Sequence, residues 1–241
     1  SQVHKLEEVR KRENIGYAAT LAFKPEEVKA IWGVRKAGLG LLLGTKGDKK
    51  PIAFVEDAAV EPAKLPEFIK RFRQIVARHD TVAGYYGHCS VGCMHIRPLI
   101  NLKEESERNK MVSIANAIAD LVLEFNGAMS GEHGDGLARS HFNAKLFGPA
   151  LYDVFRQVKR AFDPRNLMNP GKIVDSPAMT ESLKISPQYK TWEPRTTLDF
   201  SEQGGFVRAV EMCSGMGECR KNLDGTMCPS YMGMLDEEHS T

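Results

Sequence analysis

The chain has 241 residues, with 33 Lys and Arg against 31 Asp and Glu, a formal net charge of +2 and 42% hydrophobic residues. That balance supports a substantial core and excludes wholesale disorder. The cations are scattered rather than clustered with aromatics, which argues against a nucleic-acid partner, and no apolar run approaches the roughly 20 residues of a membrane-spanning helix.

In chain order, "KPEEVKAIWGVRKAG" predicts a helix, with proline in its first turn, acids following, and Val28, Ile31, Trp32 and Arg35 on one stripe. "PIAFVEDAAV" reads as a strand. "LPEFIKRFRQIVARH" is amphipathic, with Phe68, Phe72, Ile75 and Val76 inward. "TVAGYYGHC" and "CMHIRPLI" read as two arms of a hairpin. If Val91-Gly92 is its turn, Cys89 pairs with Met94, and His88 and His95 face each other directly with Cβ atoms roughly 4.5–5.5 Å apart. On that register Cys89 points away from the histidine face and packs, and Cys93 is left open.

Residues 103 to 126 predict a long helix with Met111, Ile114, Ala115, Ile118, Leu121 and Val122 buried, stopped by Asn126-Gly127. The glycine-rich "MSGEHGDGLARS" follows, then a helix over "PALYDVFRQVKRAF" that ends before "DPRNLMNPGKI". Strands interleaved with long helices predict an α+β layer structure. Residues 176 to 206 lose periodicity and gain Pro, Ser, Thr and Gly, as a linker does.

Beyond it stand Cys213, Cys219 and Cys228, three of five cysteines. In a reducing compartment, clustered thiols suggest metal or cluster ligands more than disulfides. No secretory signal is visible, so the expected location is cytoplasmic, or peripheral to the inner face of a membrane. A start at Ser1 and a cysteine-rich end without a closing element read as a piece excised from a longer protein.

The chemistry lies in two glycine-rich stretches. His88 and His95 with Glu132 form a common ligand set for a catalytic divalent metal that keeps a position open for substrate or water. His133, beside that carboxylate, would be an unligated imidazole able to act as a general base. The plainer reading is a pair of hydrogen-bonded surface histidines and a loop.

"GHCSVGCMHIRP", "SGEHGDG" and "FDPRNLMNPGKI" stand in the order and rough spacing of the FAD-linked oxidase C-terminal domain. Residues 5 to 175 resemble that domain, the cap of vanillyl-alcohol-oxidase-type flavoproteins such as D-lactate, glycolate and D-2-hydroxyglutarate dehydrogenases. The resemblance implies a ferredoxin-like antiparallel sheet covered by helices. "AVEMCSGMGECRKNLDGTMCPSYMGMLDEEHST" resembles the start of the iron–sulfur domain fused behind one subfamily. The implied organisation is a cap domain over 1–175, a linker over 176–206 and the truncated start of a ferredoxin-like domain over 207–241, with the FAD-binding domain upstream and absent.

Carried over, the resemblance implies that His88, His95 and Glu132 bind zinc, manganese or iron, and that His133 takes the hydroxyl proton of a 2-hydroxy acid as hydride passes to the flavin. It also implies that Arg35 pairs with a substrate carboxylate and that Asn169 and Lys172 of "NPGK" touch FAD; as final electron acceptor a quinone and a soluble carrier each fit. Two departures bear on the substrate. Arg97 stands where simple family members carry a polar amide, which either favours a dicarboxylate or other acidic substrate or serves only to support the fold. Against that, a basic residue of the dicarboxylate-specific members is missing from "AFVEDAAV".

A bacterial ferredoxin motif spaces its cysteines C-x2-C-x2-C-x3-C-P. Here Met216 takes the second place and Cys228-Pro229 follows a longer gap, so the chain offers three thiolates, one fewer than a cubane needs. The fragment should therefore hold no intact cluster, and without its flavin domain it should be catalytically silent. The alternative reading is a metal-dependent hydrolase in which the same His2Glu set activates water. A third is an electron-transfer module whose only chemistry is the cysteine segment.

Overall fold

The computed structural model describes residues 1–215, 217–223 and 228–240. It divides into two compact units: residues 1–42 with 214–241, and residues 43–213.

The first unit carries helix α1 (Gln2–Arg12) and most of α2 (Pro25–Leu43). The apolar stripe expected on α2 forms as helix, yet Val28, Ile31 and Trp32 are exposed. Its C-terminal part, from residue 214, contributes the short helix α8 (Pro229–Met234).

The second unit holds an α+β fold around one antiparallel sheet. Its strands are β1 (Lys50–Pro51), β2 (Ala58–Ala59), β3 (Ala83–His88) and β4 (Cys93–Ile100). The single strand expected over residues 51–60 is two short ones, with Phe54 and Val55 buried in the bend between them. Strand β4 is central, pairing β3 along one edge and both β1 and β2 along the other.

The period-two alternation of a strand decides the rest. Met94, Ile96 and Ile100 of β4 join the core with Phe68 and Phe72 of α3 (Leu65–Arg78) and Ile114 and Ile118 of α4 (Glu105–Glu124). The buried faces of α3 and α4 are those that the 3.6-residue period predicts. Odd-numbered residues of β4, His95 among them, therefore face away from these helices.

The hairpin register differs from the expected one. His88 pairs with Cys93 and Tyr86 with His95. The connection is not a two-residue turn but a 3-10 turn over Cys89–Val91 closed by Gly92 in the left-handed region at φ 72. A Cβ at Gly92 would meet the Val60 carbonyl oxygen at 1.8 Å, so glycine is required on both counts. The shift is two residues, which preserves parity: His88 and His95 become diagonal neighbours on one face.

After α4 the chain runs along β2, with Ala59 and Ala128 exchanging backbone hydrogen bonds and Gly131 N–H donating to the Asp57 carbonyl. The helix expected from Pro149 belongs to α6 (Asn143–Phe162), broken at Gly148, and is preceded by the single turn α5 (Gly136–Arg139). Residues expected as a linker are irregular, but Met179 is buried in the core and Leu183 and Ile185 pack against it. The short helix α7 (Phe206–Val210) lies near the end of this unit.

Candidate active site

Three segments meet on the face of β4 opposite the helices. Strand β4 brings His95, the end of β3 brings His88, and the loop after α4 brings Glu132 and His133. Gly131 makes the loop's approach possible, since a Cβ there would lie 3.0 Å from both the Ala59 Cβ and the Cys93 Sγ.

Glu132 Oε2 is the hub. It lies 3.4 Å from His95 Nε2, 3.6 Å from His88 Nε2 and 3.8 Å from His133 Nε2. The His95 and His133 rings stack with centroids 4.6 Å apart and 9° between planes, and the His88 ring stands edge-on to His95 at 5.4 Å. His95 is buried, whereas His88, Glu132 and His133 are exposed, so the cluster has one buried wall and an open side.

Two acids that the sequence reading left unassigned complete it. Asp57 is fully buried, and its Oδ2 accepts the backbone N–H groups of Glu132 at 3.0 Å and His133 at 2.8 Å. Burial alone would push its carboxyl up. The two backbone donors, with the charges of His133 and Arg139, outweigh that and hold it below the ordinary aspartate value. Glu56, also buried, places Oε1 3.3 Å from His133 Nδ1 and Oε2 2.5 Å from Arg97 Nη2. The signal for both was two adjacent acids inside the apolar run "AFVEDAAV", which no solvent-facing strand pattern requires.

Polar atoms are left over at this wall. His95 Nδ1 is 3.7 Å from Asp57 Oδ1, beyond hydrogen-bond reach, and has no hydrogen-bond partner among the described residues. The Arg97–Glu56 contact is an ion pair without hydrogen-bond alignment, and Glu56 Oε2 and Arg97 Nε have no hydrogen-bond partner among the described residues. Asp57, His95, Glu132 and His133 each offer one ligand atom within 4.8 Å of the others, a group able to hold a metal ion. Cys93 lies on the same face, its Sγ 3.6 Å from Asp57 Oδ1, and burial together with the Asp57 and Glu132 carboxylates pushes the thiol up to about 12.

The loop is braced from behind. Arg139 Nε donates to Ser130 Oγ at 2.9 Å, Ser130 Oγ to Asp135 Oδ1 at 2.6 Å, and Asn143 Nδ2 to Asp135 Oδ2 at 2.9 Å.

The other residues singled out from the sequence lie elsewhere. Asn169 and Lys172 line a cavity of about 540 Å³ together with Gly134, Asp135, Gly136 and Phe155. Arg35 is exposed on α2, in the first unit. Cys213 closes the second unit, whereas Cys219 and Cys228 belong to the first, and Met216 falls outside the described residues.

Residues 1–173 match the family described as FAD linked oxidases, C-terminal domain. The chain belongs to that family. Among curated proteins, this FAD-linked oxidase domain is 36% identical over 208 residues to a D-2-hydroxyglutarate dehydrogenase of Haemophilus influenzae, covering 84% of the chain and 20% of the relative. A D-2-hydroxyglutarate dehydrogenase of Pseudomonas putida is 34% identical over 230 residues, 95% of the chain and 22% of the relative. A D-lactate dehydrogenase of Archaeoglobus fulgidus is 30% identical over 158 residues, 66% of the chain and 33% of the relative. The FAD-linked oxidase chain thus spans about a fifth of the length of the first two. No helix among its described residues is long and apolar enough to cross a membrane.

Proposed function

We propose that this chain is the substrate-binding part of an FAD-dependent dehydrogenase acting on a D-2-hydroxy acid, with a divalent metal held by His88, His95 and Glu132. The observation that carries the reading is the convergence of three imidazole Nε2 atoms on one carboxylate oxygen at 3.4 to 3.8 Å. Donor atoms about 2.1 Å from one tetrahedral ion stand about 3.4 Å apart, and the Glu132 to His95 and Glu132 to His88 separations of 3.4 and 3.6 Å are near that spacing. The buried, unpartnered His95 Nδ1 supports the same fit, with Asp57 as the carboxylate that orients a metal-bound histidine.

When bound, the cation would supply Lewis acidity at the substrate hydroxyl, and FAD the hydride acceptor. The chain's own residues do the remaining work. His133 takes the hydroxyl proton at Nε2. Arg97, two residues beyond His95 on β4 and so on the same face, offers guanidinium N–H groups to a substrate carboxylate. Asn169 and Lys172, in an apolar cavity bordering the same glycine-rich loop, are assigned to FAD contact. Onward electron transfer through an iron–sulfur domain to a quinone or soluble carrier rests on the resemblance of the segment that carries Cys213, Cys219 and Cys228, and three thiolates do not complete a cluster.

The test is metal content of the purified chain beside its His88→Ala and Glu132→Ala variants, with D-2-hydroxy-acid turnover of the same variants in the complete flavoprotein. Near-stoichiometric zinc, manganese or iron, lost in both variants together with turnover, supports the reading. Metal-free protein with full turnover would remove it.

A further inference from the structure

Glu56 is a buried carboxylate that stands between two groups of the site. Its Oε1 lies 3.3 Å from His133 Nδ1, and its Oε2 lies 2.5 Å from Arg97 Nη2. A carboxylate this buried is tolerated only when paired, and these are its two partners. The competing acid, Asp57, has Oδ1 at 3.8 Å from the same Nδ1, outside hydrogen-bond reach, and its Oδ2 is occupied by backbone N–H groups. Glu56 is therefore the acceptor for a proton on His133 Nδ1. An imidazole whose Nδ1–H is held in this way presents Nε2 with its lone pair free. In His133 that Nε2 is the nitrogen on the Glu132 side, and stacking on His95 fixes the plane of the ring.

We propose that Glu56 is the positioning residue for His133: it holds the Nδ1–H tautomer, leaves Nε2 as the proton acceptor, and ties that base to Arg97 through its second oxygen. The proposal deepens the dehydrogenase reading and rests on it at His133. When the hydroxyl O–H bond breaks and the Nε2–H bond forms, the Nδ1 proton stays on the ring. The imidazolium charge then develops against the Glu56 carboxylate.

The test is a double-mutant cycle on the complete flavoprotein. Glu56→Ala and Glu56→Gln are each measured alone and in a His133→Ala background, with nitrogen-15 histidine spectra of the metal-loaded protein. The expected result is a fall in kcat of about 10- to 100-fold for either Glu56 variant alone. No further fall is expected in the His133→Ala background, metal content stays unchanged, and His133 goes from a single Nδ1–H tautomer to a mixture. Equal losses in both backgrounds, or an unaltered His133 tautomer, overturn the role of Glu56 while leaving the site's function standing. Undiminished turnover in His133→Ala alone removes the base assignment, and with it the reading on which this proposal rests. Glu56→Gln keeps the side-chain volume and an acceptor oxygen beside Arg97, so the outcome stays readable if the cavity left in Glu56→Ala prevents that variant from folding.

Discussion

Nε2 of His95 stands 3.4 Å from Oε2 of Glu132, one on the central strand and the other on a loop that reaches the strand from the far end of α4. His95 is buried on the strand, and the exposed Glu132 side chain stands on a loop whose backbone is tied to Asp57. Such a pairing lets a site keep its donor geometry while its open side admits a ligand.

Ligands and supports should separate in metal affinity. Glu132→Gln removes an anionic oxygen at the hub and should weaken zinc binding by more than about 100-fold. Asp57→Asn alters the carboxylate that holds the loop backbone, and should cost about 10- to 100-fold. Competition with a zinc chelator distinguishes the two, and equal losses would place Asp57 among the ligands.

Gly92→Ala should be among the most damaging single substitutions in the second unit. It forces alanine into a left-handed conformation and drives its Cβ into the Val60 carbonyl. A loss of more than about 2 kcal/mol in denaturant unfolding is expected. Metal affinity should fall with it, since the same loop holds the end of β3 and so His88.

Asp163 makes the turn after α6 sensitive to acid. Its carboxylate accepts a hydrogen bond from Lys159 and the backbone N–H groups of Leu167 and Met168, which lower it from the ordinary 3.8 to about 2. A depressed carboxylate contributes stability that is fully present above its unfolded value and is lost as pH falls through its folded one. The turn that leads to Asn169 and Lys172 should thus hold down to about pH 4 and loosen toward pH 2. Carboxyl chemical shifts across that range check it, and Asp163→Asn should abolish the transition.

Thiol accessibility should follow burial. Cys89 and Cys213 are exposed and should alkylate readily at pH 8. Cys93, buried on the site face with its thiol held far above neutrality, should be spared until the protein is unfolded. Peptide mass spectrometry after brief iodoacetamide treatment reads the order, and early modification of Cys93 would contradict the packing.

The elements legible in the sequence were those with a strong period. The stripe Phe68, Phe72, Ile75 and Val76 and the stripe Ile114, Ala115, Ile118 and Val122 are buried as their spacing implies. The two histidines share a face for a similar reason: a slip of two residues in register leaves a strand's parity intact. The register itself was not legible, because a four-residue connection with glycine last carries no dipeptide signature of the kind that marks a two-residue turn. Glu56 and Asp57 were not assigned because their partners are distant in the chain. Only the bridges joining residues 57 and 59 to 130 and 128 bring them under the glycine loop. The irregular stretch containing Met179 read as a linker because it lacks periodicity, yet a single apolar side chain can be captured by a core without any repeat.

The hydrogen bonds that tie Asp57 to the backbone of Glu132 and His133 span 75 and 76 residues of chain. Closing a loop of that length costs about 4 kcal/mol of chain entropy, so in the unfolded ensemble the donors of this cluster are scattered. We expect their assembly to come late in folding, so that an ion seated among them recognises only the finished fold. At a free concentration 100 times its dissociation constant, it would deepen the native well by about 2.7 kcal/mol and slow unfolding rather than hasten folding. The glycine loop is then a clasp as well as a binding element, and chelation should register first as a faster rate of opening.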